Sequence, residues 1–156
     1  MEIYRIRNDT INMIKKLEQK KKILKVILDS NALFVPLQFK IDIFEELEKL
    51  LKTRFEPVLL SPIRIELEAI AEKGSPKMRK LAHYALQLAK KCVFSEVEGK
   101  IGSPDDVIIE MAKKWGCPVF TNDKELKKRL RNISVPVIYV RQKSRLEIDG
   151  RIRSLV

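Results

Sequence analysis

Short apolar runs alternate with helix-length amphipathic segments along most of this chain, and that alternation restricts the fold more than any other feature. The runs are 23–28, 57–60, 92–95, 117–121 and 135–140, rich in Val, Ile, Leu and Phe. Runs this short and this apolar read as strands, those at 23–28 and 117–121 as buried ones. Between them, apolar spacings of three and four predict helices over 38–53, 62–73, 76–91, 104–115 and 124–131. A first helix is predicted over 2–21, with Ile3, Ile6, Ile14 and Leu17 on one stripe. Ser61-Pro62, Ser75-Pro76 and Ser103-Pro104 each supply a capping hydroxyl and a proline for the first turn. Gly74 and Gly116 separate or end helices. Pro36 is expected in a loop before the 38–53 helix. The alternation of strand and helix implies an α/β chain, with a parallel sheet and helices on both of its faces.

Four acidic residues sit at the junctions of this alternation. Asp29 ends the run Ile23 to Leu28. Glu66 lies one turn into the helix after 57–60. Asp105 opens the 104–115 helix, and Asp123 closes Val119-Phe120-Thr121-Asn122. The strand ends of an open parallel sheet meet in one crevice. Two like charges about 4 Å apart cost roughly 4 kcal/mol at an effective dielectric near 20. Bound divalent cations offset such repulsion, and oxygen-only donors suit magnesium or manganese.

Near neighbours compete with these four. Glu66 borders the apolar stripe of Ile63, Leu67, Ile70 and Ala71, whereas Glu68 falls on the outer side with Arg64. Asp106 is three residues beyond Ser103, the spacing of a capping box, which leaves Asp105 as the better ligand. Capping or turn formation would also account for Asp29, Asp105 or Asp123 taken singly. Asn31 could orient Asp29 or a water, and Thr121 offers a hydroxyl to a water or a phosphate oxygen.

Charge points to the partner. The chain carries a formal +11. Residues 1–25 hold 8 basic and 3 acidic side chains, and residues 124–156 hold 10 and 3. The middle, 26–123, is nearly balanced at 14 and 15. Basic flanks around an acidic centre suggest metal-dependent chemistry on a phosphate backbone. Lys124, Lys127, Lys128 and Arg131, just after Asp123, are candidate phosphate contacts; a solvated helix face is the alternative.

Other chemistries lack residues. No Gly-rich phosphate loop and no serine or cysteine nucleophile with a base is visible. Asn31, two residues after Asp29, speaks against an Asp-x-Asp phosphatase nucleophile. His83 has no partner motif. Cys92 and Cys117 read as small buried residues, and two Cys with one His fall short of a zinc set. At 156 residues a single domain is expected. No run approaches the roughly 18 apolar residues of a membrane span, and the start lacks a signal-peptide pattern, so a cytoplasmic location is expected.

The ordered set of motifs resembles the PIN-domain nucleases. Leu28-Asp29-Ser30-Asn31-Ala32-Leu33 looks like their first motif and Ile65-Glu66-Leu67-Glu68 like their second. Asp105-Asp106-Val107-Ile108-Ile109-Glu110-Met111-Ala112 looks like the third. Val119-Phe120-Thr121-Asn122-Asp123-Lys124-Glu125-Leu126 looks like the fourth, and Val135-Pro136-Val137-Ile138 like the closing strand. The resemblance implies a three-layer α/β/α sandwich around a central parallel sheet of about five strands, with residues 23–141 as the nuclease domain. Residues 1–22 would be an additional helix. Residues 142–156 would be a basic tail, mobile or forming an edge hairpin around Asp149-Gly150. It implies Asp29, Glu66, Asp105 and Asp123 as catalytic, metal-binding acids for magnesium or manganese, supported by Asn31, Thr121 and Asn122. The implied activity is metal-dependent cleavage of RNA. Two branches stay open: a VapC-type toxin paired with an antitoxin, or a nuclease of ribosomal-RNA processing working with ribosome-assembly factors. A non-catalytic RNA-binding assembly module is the rival from another class.

A homodimer is also expected. Ile41, Ile43, Phe44, Leu47, Leu50 and Leu51 give one helix a broad apolar surface, and Phe34, Leu37 and Phe39 precede it in an expected loop. Cover by the N-terminal helix is the alternative.

Overall fold

A computed structural model describes residues 2–21, 23–98 and 102–153. The elements run α1 (Glu2–Lys21), β1 (Leu24–Leu28), α2 (Ser30–Phe39), α3 (Ile43–Leu51), β2 (Phe55–Leu60), α4 (Ser61–Lys73) and α5 (Pro76–Ala89). They continue with β3 (Val93–Ser95), α6 (Pro104–Trp115), β4 (Val119–Phe120), α7 (Lys124–Asn132), β5 (Val137–Arg141) and β6 (Arg145–Asp149). The strands form one sheet in the order β3-β2-β1-β4-β5-β6. The first five are parallel, as expected, and β6 adds an antiparallel edge through a hairpin on β5. The turn of that hairpin lies at 142–144, not around Asp149-Gly150.

Chain direction across the sheet reverses once. The chain leaves β1 toward β2 and β3, then returns past β1 to β4. Right-handed crossovers put the helices before and after that reversal on opposite faces. α2, α4 and α5 pack on one another and α6 packs on α7, while α4 and α6 also meet. Both faces of the sheet centre are covered: the consecutive residues Val26, Ile27 and Leu28, and Val119 and Phe120, are all fully buried. The reversal leaves the C-terminal ends of β1 and β4 side by side, the position at which open sheets bind ligands.

Several local expectations change. Residues 30–39 are helical, not a loop, although the helix contains Pro36. A proline inside a helix removes one donor and crowds the preceding turn. Here burial of Ala32, Leu33, Phe34 and Val35 offsets that cost. Lys40, in a left-handed conformation with φ 57°, ends α2 and donates its N–H to Pro36 O. Asp42 then caps α3 through Glu45 N–H, so the helix starts at 43 instead of 38. Ser61 does not cap α4; its Oγ accepts Val97 N–H at 3.0 Å and ties the segment after β3 to the helix start. Ser75 and Ser103 cap as expected. The fourth strand shortens to Val119–Phe120.

Most of the apolar face expected to pair two copies lies in the chain's own core, with Leu37 left exposed. Ile41, Ile43, Leu47 and Leu51 are buried, Phe44 and Leu50 partly so, and Phe34 is buried while Phe39 packs against the core. Residues 7–16 of α1 do not cover them, being exposed throughout, Ile14 included. The side chains of Ile3, Ile6 and Leu17 fall outside the described residues. A homodimer would need a different surface.

Candidate active site

The reversal point is occupied by a polar network built on Asp29. Its N–H donates to Phe120 O at 3.0 Å, stitching the end of β1 to β4. Its side chain is almost fully buried. Oδ1 accepts Ser30 N–H at 2.8 Å, which caps α2. Oδ2 accepts the Thr121 hydroxyl at 2.7 Å and Asn31 Nδ2 at 3.0 Å. Asn31 Oδ1 accepts Asn122 N–H at 2.9 Å, and Asn122 Oδ1 accepts Val140 N–H at 2.8 Å. The first and fourth motifs are thereby locked together and to β5. The Thr121 hydroxyl, fully buried, gives its proton to Asp29 and accepts Asp123 N–H at 3.1 Å. The hydroxyl expected to meet a water or a phosphate oxygen is thus engaged within the protein.

Three other carboxylates surround Asp29. Glu66, half-buried one turn into α4, accepts the Ser30 hydroxyl at 3.3 Å through Oε1. Asp123 caps α7 through Oδ1, which accepts Glu125 and Leu126 N–H at 2.9 and 3.2 Å. Asp105 accepts no hydrogen bond from the described residues. Its neighbour Asp106 completes the capping box with Ser103 and takes Arg129 Nη2 at 2.7 Å. Glu68 is exposed and paired with Arg64 at 3.0 Å. The cap expected of Asp106 and the exposed position expected of Glu68 are both present.

The four acids act on one another electrostatically. Burial pushes the Asp29 carboxyl up; Thr121 and Ser30 pull it down, and the charges of Asp105 and Asp123 push it up again. Glu66 is raised by burial and then by the charge of Asp29, with Asp105 adding to this. Asp105 is raised by burial and by Asp123, against the guanidinium of Arg129. Asp106 is held low, chiefly by the hydrogen bond from Arg129. Carboxylates, with no imidazole or thiolate in the set, fit a hard divalent cation. Among the described residues, no three His, Cys, Asp or Glu side chains converge enough to enclose an ion. The acids are thus coupled through their charges without closing into a cage.

These raised values carry a pH dependence. A carboxyl with a raised folded value penalises the fold when charged, so the penalty is complete above that value. Protonation relieves it as pH falls toward the ordinary value of about 4. Metal-stripped protein is therefore expected to melt at higher temperature near about pH 5 than near about pH 7, with magnesium stabilising it more at the higher pH. Asp106 acts oppositely, but only below its ordinary value, outside this window. Melting temperatures that fall steadily from pH 7 to pH 5 would remove the repulsive ring.

The candidate cations divide. Lys124 and Lys128 are exposed. Lys127 and Arg131 both reach Asp149 of β6, at 3.6 and 3.3 Å, and Lys127 Nζ also lies 3.6 Å from the Tyr139 ring centroid. Two participants were missed by the sequence reading. Ser30 had a local signal, lying between Asp29 and Asn31. Arg129 had none, since it meets Asp106 only because α6 packs on α7. Burial raises the Cys92 and Cys117 thiols to about 12, so neither supplies a thiolate at neutral pH. His83 is exposed.

Residues 26–143 match the family model described as a PIN-like domain. The ribonuclease VapC4 of Methanocaldococcus jannaschii is 37% identical over 129 residues, 82% of this chain and 98% of that protein. VapC9 of Archaeoglobus fulgidus, also a ribonuclease, is 30% identical over 128 residues, covering 82% and 91%. The rRNA-processing protein fcf1 of Schizosaccharomyces pombe is 33% identical over 119 residues, covering 74% and 58%. Among solved structures, the PIN domain endonuclease Utp24 superimposes with a TM-score of 0.67 at 30% identity, covering 82% of this chain and 92% of that one.

Proposed function

The chain belongs to the PIN-like domain family, and from that membership we propose that it is a divalent-metal-dependent endoribonuclease hydrolysing phosphodiesters of single-stranded RNA. The observation that carries this reading is the ring of Asp29, Glu66, Asp105 and Asp123 around the reversal point, with repulsion left for a cation to relieve. These four carboxylates would hold magnesium or manganese. A cation held there supplies Lewis-acid activation of water and neutralises charge on the scissile phosphate. The chain's own residues do the rest. Thr121 and Asn31 fix the Asp29 carboxylate in rotation and keep its Oδ2 anchored. Ser30 turns Glu66 toward Asp29. Arg129 holds Asp106 away from the ring, leaving Asp105 free to face it. Exposed Lys124 and Lys128 are placed to meet phosphates beside the cleaved bond.

In the cell we read it as a VapC-type toxin acting in the cytoplasm on RNA and restrained by an antitoxin. Near-complete coverage of the archaeal VapC ribonucleases favours that branch. The likeness to the rRNA-processing protein fcf1 supports the second reading, cleavage during ribosomal-RNA processing with assembly factors as partners. No described helix is long and apolar enough to cross a membrane.

Purified chain is expected to cut an unstructured RNA in magnesium or manganese, to stop in excess chelator, and to resume when the metal is restored. Binding without cleavage under every metal condition would favour the non-catalytic module. Undiminished cleavage in chelator would sink the metal-dependent reading.

A further inference from the structure

Next to the acid ring lies a second concavity that the proposed chemistry leaves unused. It is a groove of about 590 Å³ that shares Asn31, Thr121 and Asn122 with the site. The rings of Phe39 and Tyr139 line it, with the amides of Gln38 and Gln142 and the ammonium groups of Lys124 and Lys143. Its volume lies in the range of about 300–1,000 Å³ usual for small-ligand pockets. Lys127, another lining residue, is fixed by Asp149 and set over one face of the Tyr139 ring. The larger concavity, about 830 Å³, differs in kind: Glu45 and Glu48 line it together with Lys52 and Arg54, around Phe44 at the opposite end of the sheet. Mixed charge gives that one no preference for a polyanion.

We propose that the groove between α2 and β5 binds one unstacked nucleobase of the RNA strand, adjacent to the phosphate held at the acid ring. The proposal rests on the ribonuclease reading for the class of its ligand. Three observations support it. The groove is continuous with the acid site through Asn31, Thr121 and Asn122, so a strand crossing one enters the other. Aromatic rings provide stacking surface, which single-stranded nucleic acids use without needing a duplex. Lysines at the edge match flanking phosphates, while Gln38 and Gln142 offer both donors and acceptors to a base edge. The occupant is thus a nucleotide, not an apolar peptide segment, which would gain nothing from this ring of lysines.

Binding without turnover tests it. The full chain carrying Asp29→Asn is titrated, in magnesium, with a labelled short oligoribonucleotide in which a single abasic site is moved through every position. One abasic position is expected to weaken binding about five- to a hundredfold, the scale of one lost base–aromatic stack. Adding Tyr139→Ala should abolish that position dependence, and Tyr139→Phe should restore it. Gln38→Trp, at an exposed helix position, fills the groove and should also abolish it, which keeps the test decisive if Tyr139→Ala fails to fold. Abasic sites that act equally at all positions, or a position dependence that survives Gln38→Trp, overturn the proposal, and then leave a protein segment as the groove's occupant. Wild-type cleavage is scored separately. Its absence beside intact position dependence would count against the ribonuclease reading and not against the groove.

Discussion

Replacing Asp29 by asparagine is expected to lower RNA cleavage by about 10²–10³-fold, the scale of losing one preorganised electrostatic group from an active site. The same variant should bind magnesium or manganese more weakly, yet melt within about 1 kcal/mol of the parent protein. The two expectations have separate origins. Activity falls because the amide carries no charge at the point where β1 meets β4. Stability holds because losses and gains oppose each other. Asparagine keeps an oxygen for Ser30 N–H, so the cap of α2 survives. Its amide nitrogen faces the Thr121 hydroxyl, which can reverse and accept, but it meets Asn31 Nδ2 as donor against donor. Against that loss stands the removal of a buried charge repelled by Asp105 and Asp123. Single-turnover cleavage, metal titration and thermal melting read the three quantities independently. Full activity in Asp29→Asn would remove this residue from the site.

The tandem Asp105-Asp106 should come apart in the same assays. Asp105→Asn is expected to lose cleavage on the same scale with an unchanged or slightly higher melting temperature, since Asp105 holds no hydrogen bond among the described residues and is raised by burial and by Asp123. Asp106→Ala should instead lose roughly 0.5–2 kcal/mol of stability while most activity remains. That cost comes from the capping box, in which Asp106 accepts Ser103 N–H at 3.2 Å and donates its own N–H to Ser103 Oγ at 3.3 Å. The contact with Arg129 lies at the surface and adds little on its own. Active Asp105→Asn beside inactive Asp106→Ala would exchange the two assignments.

Much of this protein is written locally. Alternating apolar runs and amphipathic segments determined the parallel sheet, because burial on both faces leaves a strand no polar positions. The caps at Ser75 and Ser103 were legible because each bond spans three residues. The four acids were legible because each stands at the end of a strand or in the first turns of the helix that follows. Glu66 could be told from Glu68, and Asp105 from Asp106, by helical phase and capping distance alone.

Tertiary structure decided what depends on residues far apart in the chain. Ser61 looked like a cap, but its hydroxyl met Val97, 36 positions on. Pro36 looked like a loop, but burial of Leu33, Phe34 and Val35, in a helix packed on α4 and α5, outweighed its local cost. The apolar face of α3 looked like an interface and became core. Lys127 and Arg131 looked equivalent to Lys124 and Lys128 until β6 brought Asp149 beside them. Thr121 reached Asp29 across 92 positions, a partner that no local pattern announces. Local pattern records which face a residue presents and which backbone group it can cap. Only packing of the layers determines which distant side chain it meets there, because that meeting has no periodic signature in the sequence.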